Sequence, residues 1–151
     1  MNNEAMIANY QHIQQVRTFL HDVIQNILKR SLVHDQSKLE SPEKEVFEEF
    51  TDKLASSTYG SQEYEDCRKA MAPALEHHYA KNRHHPEHYR NGIKDMSLLD
   101  LVEMICDWKA ATLRHNDGNI LKSLEHNKQR FNFSDELYGI FLNTLKELNL
   151  V

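Results

Sequence analysis

The chain has 151 residues, 40% of them hydrophobic and 27% charged, with a formal net charge of −5. This is enough chain for one packed globular domain and is too apolar for a disordered one. The acidic balance argues against a nucleic-acid polymer as partner, which calls for a basic surface, but leaves room for a small phosphorylated substrate.

No apolar run approaches the roughly 20 residues needed to cross a bilayer. Met1 to Ala8 lacks the basic and apolar pattern of a signal peptide. Cys67 and Cys106 fall inside helical patterns and read as reduced thiols. A cytoplasmic protein with no membrane partner is expected. A single all-α domain over 1–151, a bundle of about six helices, follows from the pattern below.

Spacing predicts a first helix from Glu4 to Arg30, where Val16, Leu20, Val23 and Ile27 recur every three or four positions. A short connection, His34-Asp35-Gln36-Ser37-Lys38, leads to a helix start at Ser41-Pro42-Glu43-Lys44, with Ser41 as N-cap and Pro42 in the first helical position. That helix runs to about Leu54. A loop with Gly60 precedes a third helix, Gln62 to Lys81, bent at Pro73. Asn82 to Lys94 reads as polar and irregular. Ser97 caps a helix to about His115, Asn119 begins another to about Arg130, and Ser134 caps the last. Phe131, Phe133, Tyr138 and Phe141 in the late helices are assigned to the monomer core, with a homodimer face as the alternative.

Ten histidines lie along these elements. Their order is informative: His12, then His34-Asp35, His77-His78, His84-His85, and a late Asp107. Imidazole nitrogens and carboxylate oxygens are the ligands of divalent transition ions. One histidine on an apolar face is usually a satisfied core residue, so only the ordered set carries the metal reading. At about 100° per residue His12 shares the stripe of Val16, Phe19 and Val23 and aims inward, whereas His21 lies half a turn away. His78 continues the stripe of Cys67, Met71, Ala74 and Leu75; His77 is rotated to its rim.

Lys38, three residues after Asp35, puts an ammonium beside such a centre. The segment Asn82 to Tyr89 is a loop rich in donors, in which one of His84 and His85 ligates and the other touches substrate. Arg83 and Tyr89 are further substrate contacts, and Lys81 and His88 weaker ones. Asp107 shares a helix line with Asp100, Glu103, Ala110, Ala111 and Arg114, and the two alanines leave space before it. For Asp100 and Glu103 a solvated face and a cavity-facing role stand equal. Arg114, two turns on, is placed to clamp a phosphate in bidentate fashion.

The ordered set His12, His34-Asp35 with Lys38, His78, His84-His85 and Asp107 resembles the HD-domain superfamily of metal-dependent phosphohydrolases. The resemblance covers about Tyr10 to Arg114. Histidines between the His-Asp pair and the last aspartate are similar to its two-metal branch. His34-Asp35-x-x-Lys38 and His84-His85 are similar to the cyclic-dinucleotide phosphodiesterase subgroup. However, Pro86-Glu87-His88-Tyr89 replaces that subgroup's Gly-Tyr-Pro continuation, and Ala8 stands one turn before His12 in place of a carboxylate. The whole chain looks most like a small branch of HD-like proteins of bacteria and phages.

The resemblance implies an HD-like helical bundle holding one or two divalent transition ions (Mn, Fe, Co, Zn or Ni). His12, His34, Asp35 and Asp107 would hold the first. Asp35 would bridge to a second, held also by His78 and by His84 or His85. The implied activity is hydrolysis of a phosphate ester, in a nucleotide or related small phosphorylated metabolite, with Asp35, Lys38 and Arg114 as catalytic residues. Two other classes fit the same ligands: a di-iron, O₂-dependent oxygenase of HD-like fold and a non-catalytic nucleotide-binding protein.

Overall fold

The computed structural model describes residues 3–57, 61–114 and 118–151. Gly60 of the expected loop and His115 at the expected end of the fourth helix lie outside the described residues. Among the described residues there are seven α-helices, three 3₁₀ turns and no strand, so the protein is all-α. The helices are α1 (Asn3–Val33), α2 (Glu43–Ser56), α3 (Gln62–Ala70), α4 (Ala72–Lys81), α5 (Leu98–Thr112), α6 (Ile120–Phe131) and α7 (Asp135–Glu147). Described helices of sufficient length are not apolar enough to cross a membrane. The chain forms two compact units, Met1–His34 and Asp35–Val151.

The first unit is α1. Glu4 in its first turn and Arg30 in its last complement the helix dipole. It carries no buried residue: Val16, Phe19 and Val23 are 41%, 60% and 46% exposed, and His12 is exposed as well. Helical periodicity identifies an apolar face but does not say what covers it.

In the second unit α5, α6 and α7 enclose the main core, built from Met104, Ile105, Trp108, Ile120, Leu124, Phe133, Phe141 and Leu145. Trp108 is its centre. Phe131 and Phe133 lie stacked beside it at 6.0 and 6.3 Å between ring centroids, and Phe141 meets it edge-on at 6.0 Å. Burying each such side chain contributes about 1.5–3 kcal/mol. The late aromatics thus pack within the chain.

Local signals set the helix starts. Ser97 and Asp100 form a reciprocal capping box on α5, Asn119 accepts from the N–H groups of Leu121 and Lys122, and Ser134 accepts from that of Leu137. Asn132 closes α6 in the left-handed conformation, φ 48°, that asparagine tolerates.

Two boundaries differ from expectation. Pro42 occupies the N-cap position of α2 and Ser41 makes no cap, so the helix begins one residue later, at Glu43. The long third helix is two, broken at Met71, with Pro73 in the first turn of α4. A proline has no N–H to give and clashes with the carbonyl of the turn before it, so a new helix starts around it. That break accounts for seven helices where about six were expected. α2 packs on α4 and on the 3₁₀ turn Gln36–Leu39, and α4 packs on the turn Pro86–His88. These contacts bring three stretches of chain to one place.

Candidate metal centre

Asp35 opens the second unit with φ 55°, a left-handed conformation that aspartate adopts more readily than most residues. Its carboxylate lies between α4 and the loop that follows it. His78 comes from the last turn of α4, and His84 and His85 from the loop after it. His78 and His84 are each 1% exposed. Potential ligand atoms of Asp35, His78, His84 and His85 all lie within 4.8 Å of one another. So do those of Asp35, His84 and Asp107, the last from α5. The two sets share Asp35 and His84, and this cluster is chemically suited to a metal ion.

The surrounding carboxylates fix how the rings present themselves. His78 Nδ1–H donates to Glu43 Oε2 at 2.8 Å, and His77 Nδ1–H donates to Glu43 Oε1 at 2.7 Å. His84 Nδ1 stands 3.2 Å from Glu103 Oε1. A carboxylate only accepts, so a proton on Nδ1 of each ring suits Glu43 and Glu103, and in that tautomer the Nε2 lone pair points away from them. The Nε2 atoms of His78 and His84 then face Asp35 Oδ1, at 3.3 and 3.4 Å. His78 Nε2 also lies 2.9 Å from His85 Nε2. Acceptor facing acceptor is repulsive in a buried site. A metal cation between them, or protons on the Nε2 atoms, makes the arrangement favourable. A histidine whose second nitrogen is held by a carboxylate is also the usual form of a metal-ligating histidine.

Electrostatics follow the same pattern. Burial works to raise the Asp35 pKa, but the His78 bond and the Lys38 ammonium, 2.6 Å from Oδ2, hold it well below the usual range. Glu43 is fully buried. There too burial opposes ionisation, and the bonds from His77, His78 and Ser37 outweigh it and lower the pKa. Burial first, then the neighbouring His84 and His78, push the His85 imidazole down to about 3. His85 is therefore neutral and offers its lone pair at neutral pH.

That shift sets a pH dependence for the metal-stripped protein. Between the ordinary value of 6.5 and about 3 the unfolded chain binds a proton at His85 that the folded chain refuses. Stability is fully present above 6.5 and falls as the pH drops, with a limiting slope of about 1.4 kcal/mol per pH unit for one site. Thermal melts of stripped protein at pH 7, 6 and 5 should show a falling midpoint, and His85→Gln should flatten the decline. A slope unchanged by the substitution would place the proton elsewhere.

The expected site residues divide as follows. Asp35, His78, His84, His85 and Asp107 are brought together. His77 sits at the edge, on Glu43. His12 and His34 belong to the first unit. Lys38 is paired with Asp35. Arg83 and Tyr89 turn to the fully buried Asp100, with Arg83 Nε at 3.4 Å from Oδ1 and the Tyr89 hydroxyl donating to Oδ2 at 2.8 Å. This ties the loop to the start of α5. Arg114 lies exposed two residues beyond the end of α5.

Three residues went unread as site residues. Glu43 looked like an ordinary first-turn acid. Ser37 donates to Glu43 Oε2 at 2.9 Å and accepts from Asn82 Nδ2 at 2.8 Å. Asn82 also donates to the His78 carbonyl at 2.8 Å.

Fold and site together define an all-α protein with a buried histidine–aspartate cluster of metal-ligand chemistry. The chain belongs to the family DUF5662, described as a family of unknown function, whose model matches residues 1–148. No curated protein and no solved structure matches it.

Proposed function

We propose that this protein is a metal-dependent phosphohydrolase of HD-domain type, acting in the cytoplasm on a nucleotide or similar small phosphorylated metabolite. One observation carries the reading: the Nε2 atoms of His78 and His84 face Asp35 Oδ1, His85 Nε2 lies against that of His78, and carboxylates stand at Nδ1 of the first two. The order of these residues and of Asp107 in the chain, with its resemblance to the HD superfamily, selects hydrolysis among the chemistries such a cluster can host.

In this reading Asp35 and His84 belong to both ligand sets, His78 and His85 complete one, and Asp107 serves the other. Divalent ions held there supply Lewis-acid charge to a phosphoryl oxygen and make water nucleophilic near neutral pH. Glu43 and Glu103 orient the rings and raise their basicity. Lys38, on Asp35, keeps that carboxylate ionised and adds positive charge beside the departing phosphate.

The test is elemental analysis of untagged protein, followed by incubation of the loaded protein with nucleotides in Mn²⁺, Co²⁺ or Fe²⁺. One or two ions per chain and release of inorganic phosphate are expected. Two irons per chain with O₂ consumption and no phosphate release would make the protein an oxygenase. A nucleotide recovered unchanged after tight binding would make it a binding protein. Absence of metal after incubation with each ion would remove the whole reading.

A further inference from the structure

His84 and His85 sit in the stretch between α4 and α5, and a ligand on a loop is placed only as well as the loop is tied down. We propose that Asp100 is a positioning residue of the candidate metal centre: it fixes this loop on the first turn of α5, so that His84 stands level with Glu103 and Asp107. The inference rests on the metal-binding part of the reading above and not on hydrolysis.

Asp100 is more than a helix cap. In the capping box its Oδ2 accepts from the Ser97 N–H and from the Ser97 hydroxyl, each at 2.8 Å. That role needs no burial, and Ser97 itself is exposed. Yet Asp100 is fully buried. A charge taken out of water is costly unless other groups pair with it, and here they come from the loop. The Tyr89 hydroxyl donates to Oδ2 at 2.8 Å, and Arg83 Nε stands 3.4 Å from Oδ1. The Arg83 guanidinium also lies 5.8 Å from the Tyr89 ring centroid, so the two contacts support each other. Arg83 immediately precedes His84, and Tyr89 follows His85 by four residues. Both sides of the histidine pair are therefore pinned to one carboxylate.

α5 carries the counterparts on the same face. Asp100, Glu103 and Asp107 are spaced i, i+3, i+7, which sets them along one line of a helix. Asp100 holds the loop, Glu103 Oε1 stands 3.2 Å from His84 Nδ1, and Asp107 offers a ligand atom within 4.8 Å of those of Asp35 and His84. A single rigid element thus carries the anchor, the partner that turns the ring and a ligand. His88 Nδ1–H donates to the Tyr79 carbonyl at 2.8 Å, and Glu87 pairs with Arg130. Those bonds tie the loop to α4 and α6; the bonds to Asp100 set its height along α5. Burial, then the bond to Asp100, raises the Tyr89 pKa, so the hydroxyl keeps its proton at neutral pH.

The probe is Co²⁺ alone, whose visible absorption bands change with the number and geometry of its ligands. Metal-stripped full-length protein is titrated with Co²⁺, and affinity, spectrum and helicity are read for the parent and for variants. Tyr89→Phe removes one hydroxyl from the anchor. It is expected to weaken Co²⁺ binding about tenfold, the low end of the range for partners behind a metal ligand, and to shift the bands while helicity stays that of the parent. Asp100→Asn removes the charge as well and should weaken binding further. Ser97→Ala deletes the cap without touching the loop, so its melting temperature should fall while affinity and spectrum match the parent. The proposal is overturned if Tyr89→Phe binds Co²⁺ with the parent's affinity and spectrum. It is overturned too if Ser97→Ala disturbs both as much, since stability alone would then govern the site. A parent that binds no Co²⁺ would remove the metal reading and this inference together. Weakened Co²⁺ binding in Tyr89→Phe, without phosphate release from any nucleotide by the parent, would remove the hydrolase and uphold the role of Asp100.

Discussion

Asp35→Asn is expected to lose bound divalent metal, and with it phosphoester hydrolysis, while keeping its far-ultraviolet circular dichroism. Asparagine is the right replacement for a conformational reason. At φ 55° an alanine would be strained, but asparagine accepts the left-handed region and matches the shape of aspartate. What changes is the charge. Asp35 Oδ1 is the acceptor on which the Nε2 atoms of both His78 and His84 converge, and an amide there cannot offset the charge of a cation. Removing an outer partner of a ligand typically costs 10–100-fold in metal affinity, so losing a carboxylate shared by both ligand sets should exceed that range. Elemental analysis after gel filtration, with helicity measured on the same sample, checks it. A Asp35→Asn protein that retains the parent's metal content would sink the assignment.

Helix starts were legible in the sequence because capping is local. Ser97, Asn119 and Ser134 each bond to a backbone N–H two or three residues on, and all three are where expected. The same locality misled at Pro42, where the residue type told of a helix start but not its exact residue, and at Pro73, where a bend was expected and the helix breaks. The clustered histidines and aspartates were legible as types in order. Their supporting residues were not: Glu43 is 35 positions from His78, and nothing in the spacing pairs a first-turn glutamate with a histidine two helices later. Glu103 stood undecided for a related reason, since nothing in the spacing pairs it with His84, 19 residues earlier. The hydrogen bonds of Arg83 and Tyr89 to the buried Asp100 were not legible either, since their partner lies in the next helix.

Glu43→Ala is the substitution expected to harm folding most, and Glu43→Gln the one that separates folding from metal binding. Glu43 accepts from His77, His78 and Ser37, is fully buried, and stands in the first turn of α2, where the helix dipole favours an anion. Alanine leaves the buried His78 without its carboxylate partner and removes the acceptor of His77 and Ser37 as well. Breaking a buried, charged arrangement in this way costs about 3–5 kcal/mol. Glutamine preserves the volume but presents one oxygen and one NH₂ group. It can satisfy one histidine, while its NH₂ meets another N–H. A loss of about 1–3 kcal/mol is expected from the unmet donor, together with weaker metal binding, about 10–100-fold, because His78 is free to turn its ring or move its proton to Nε2. The lowered pKa of Glu43 gives the sign of the pH effect. The stabilisation from its ionised form is present above the ordinary carboxylate value and is lost as the pH falls through the folded value. Glu43→Gln should therefore remove part of the acid sensitivity of the parent below about pH 4.5 while lowering stability at neutral pH. Chemical denaturation at pH 7 and pH 4, alongside competitive chelator titration, measures both. A glutamine variant with unchanged metal affinity and a reduced neutral-pH stability would show that Glu43 holds α2 to α4 without governing the histidine that the site depends on.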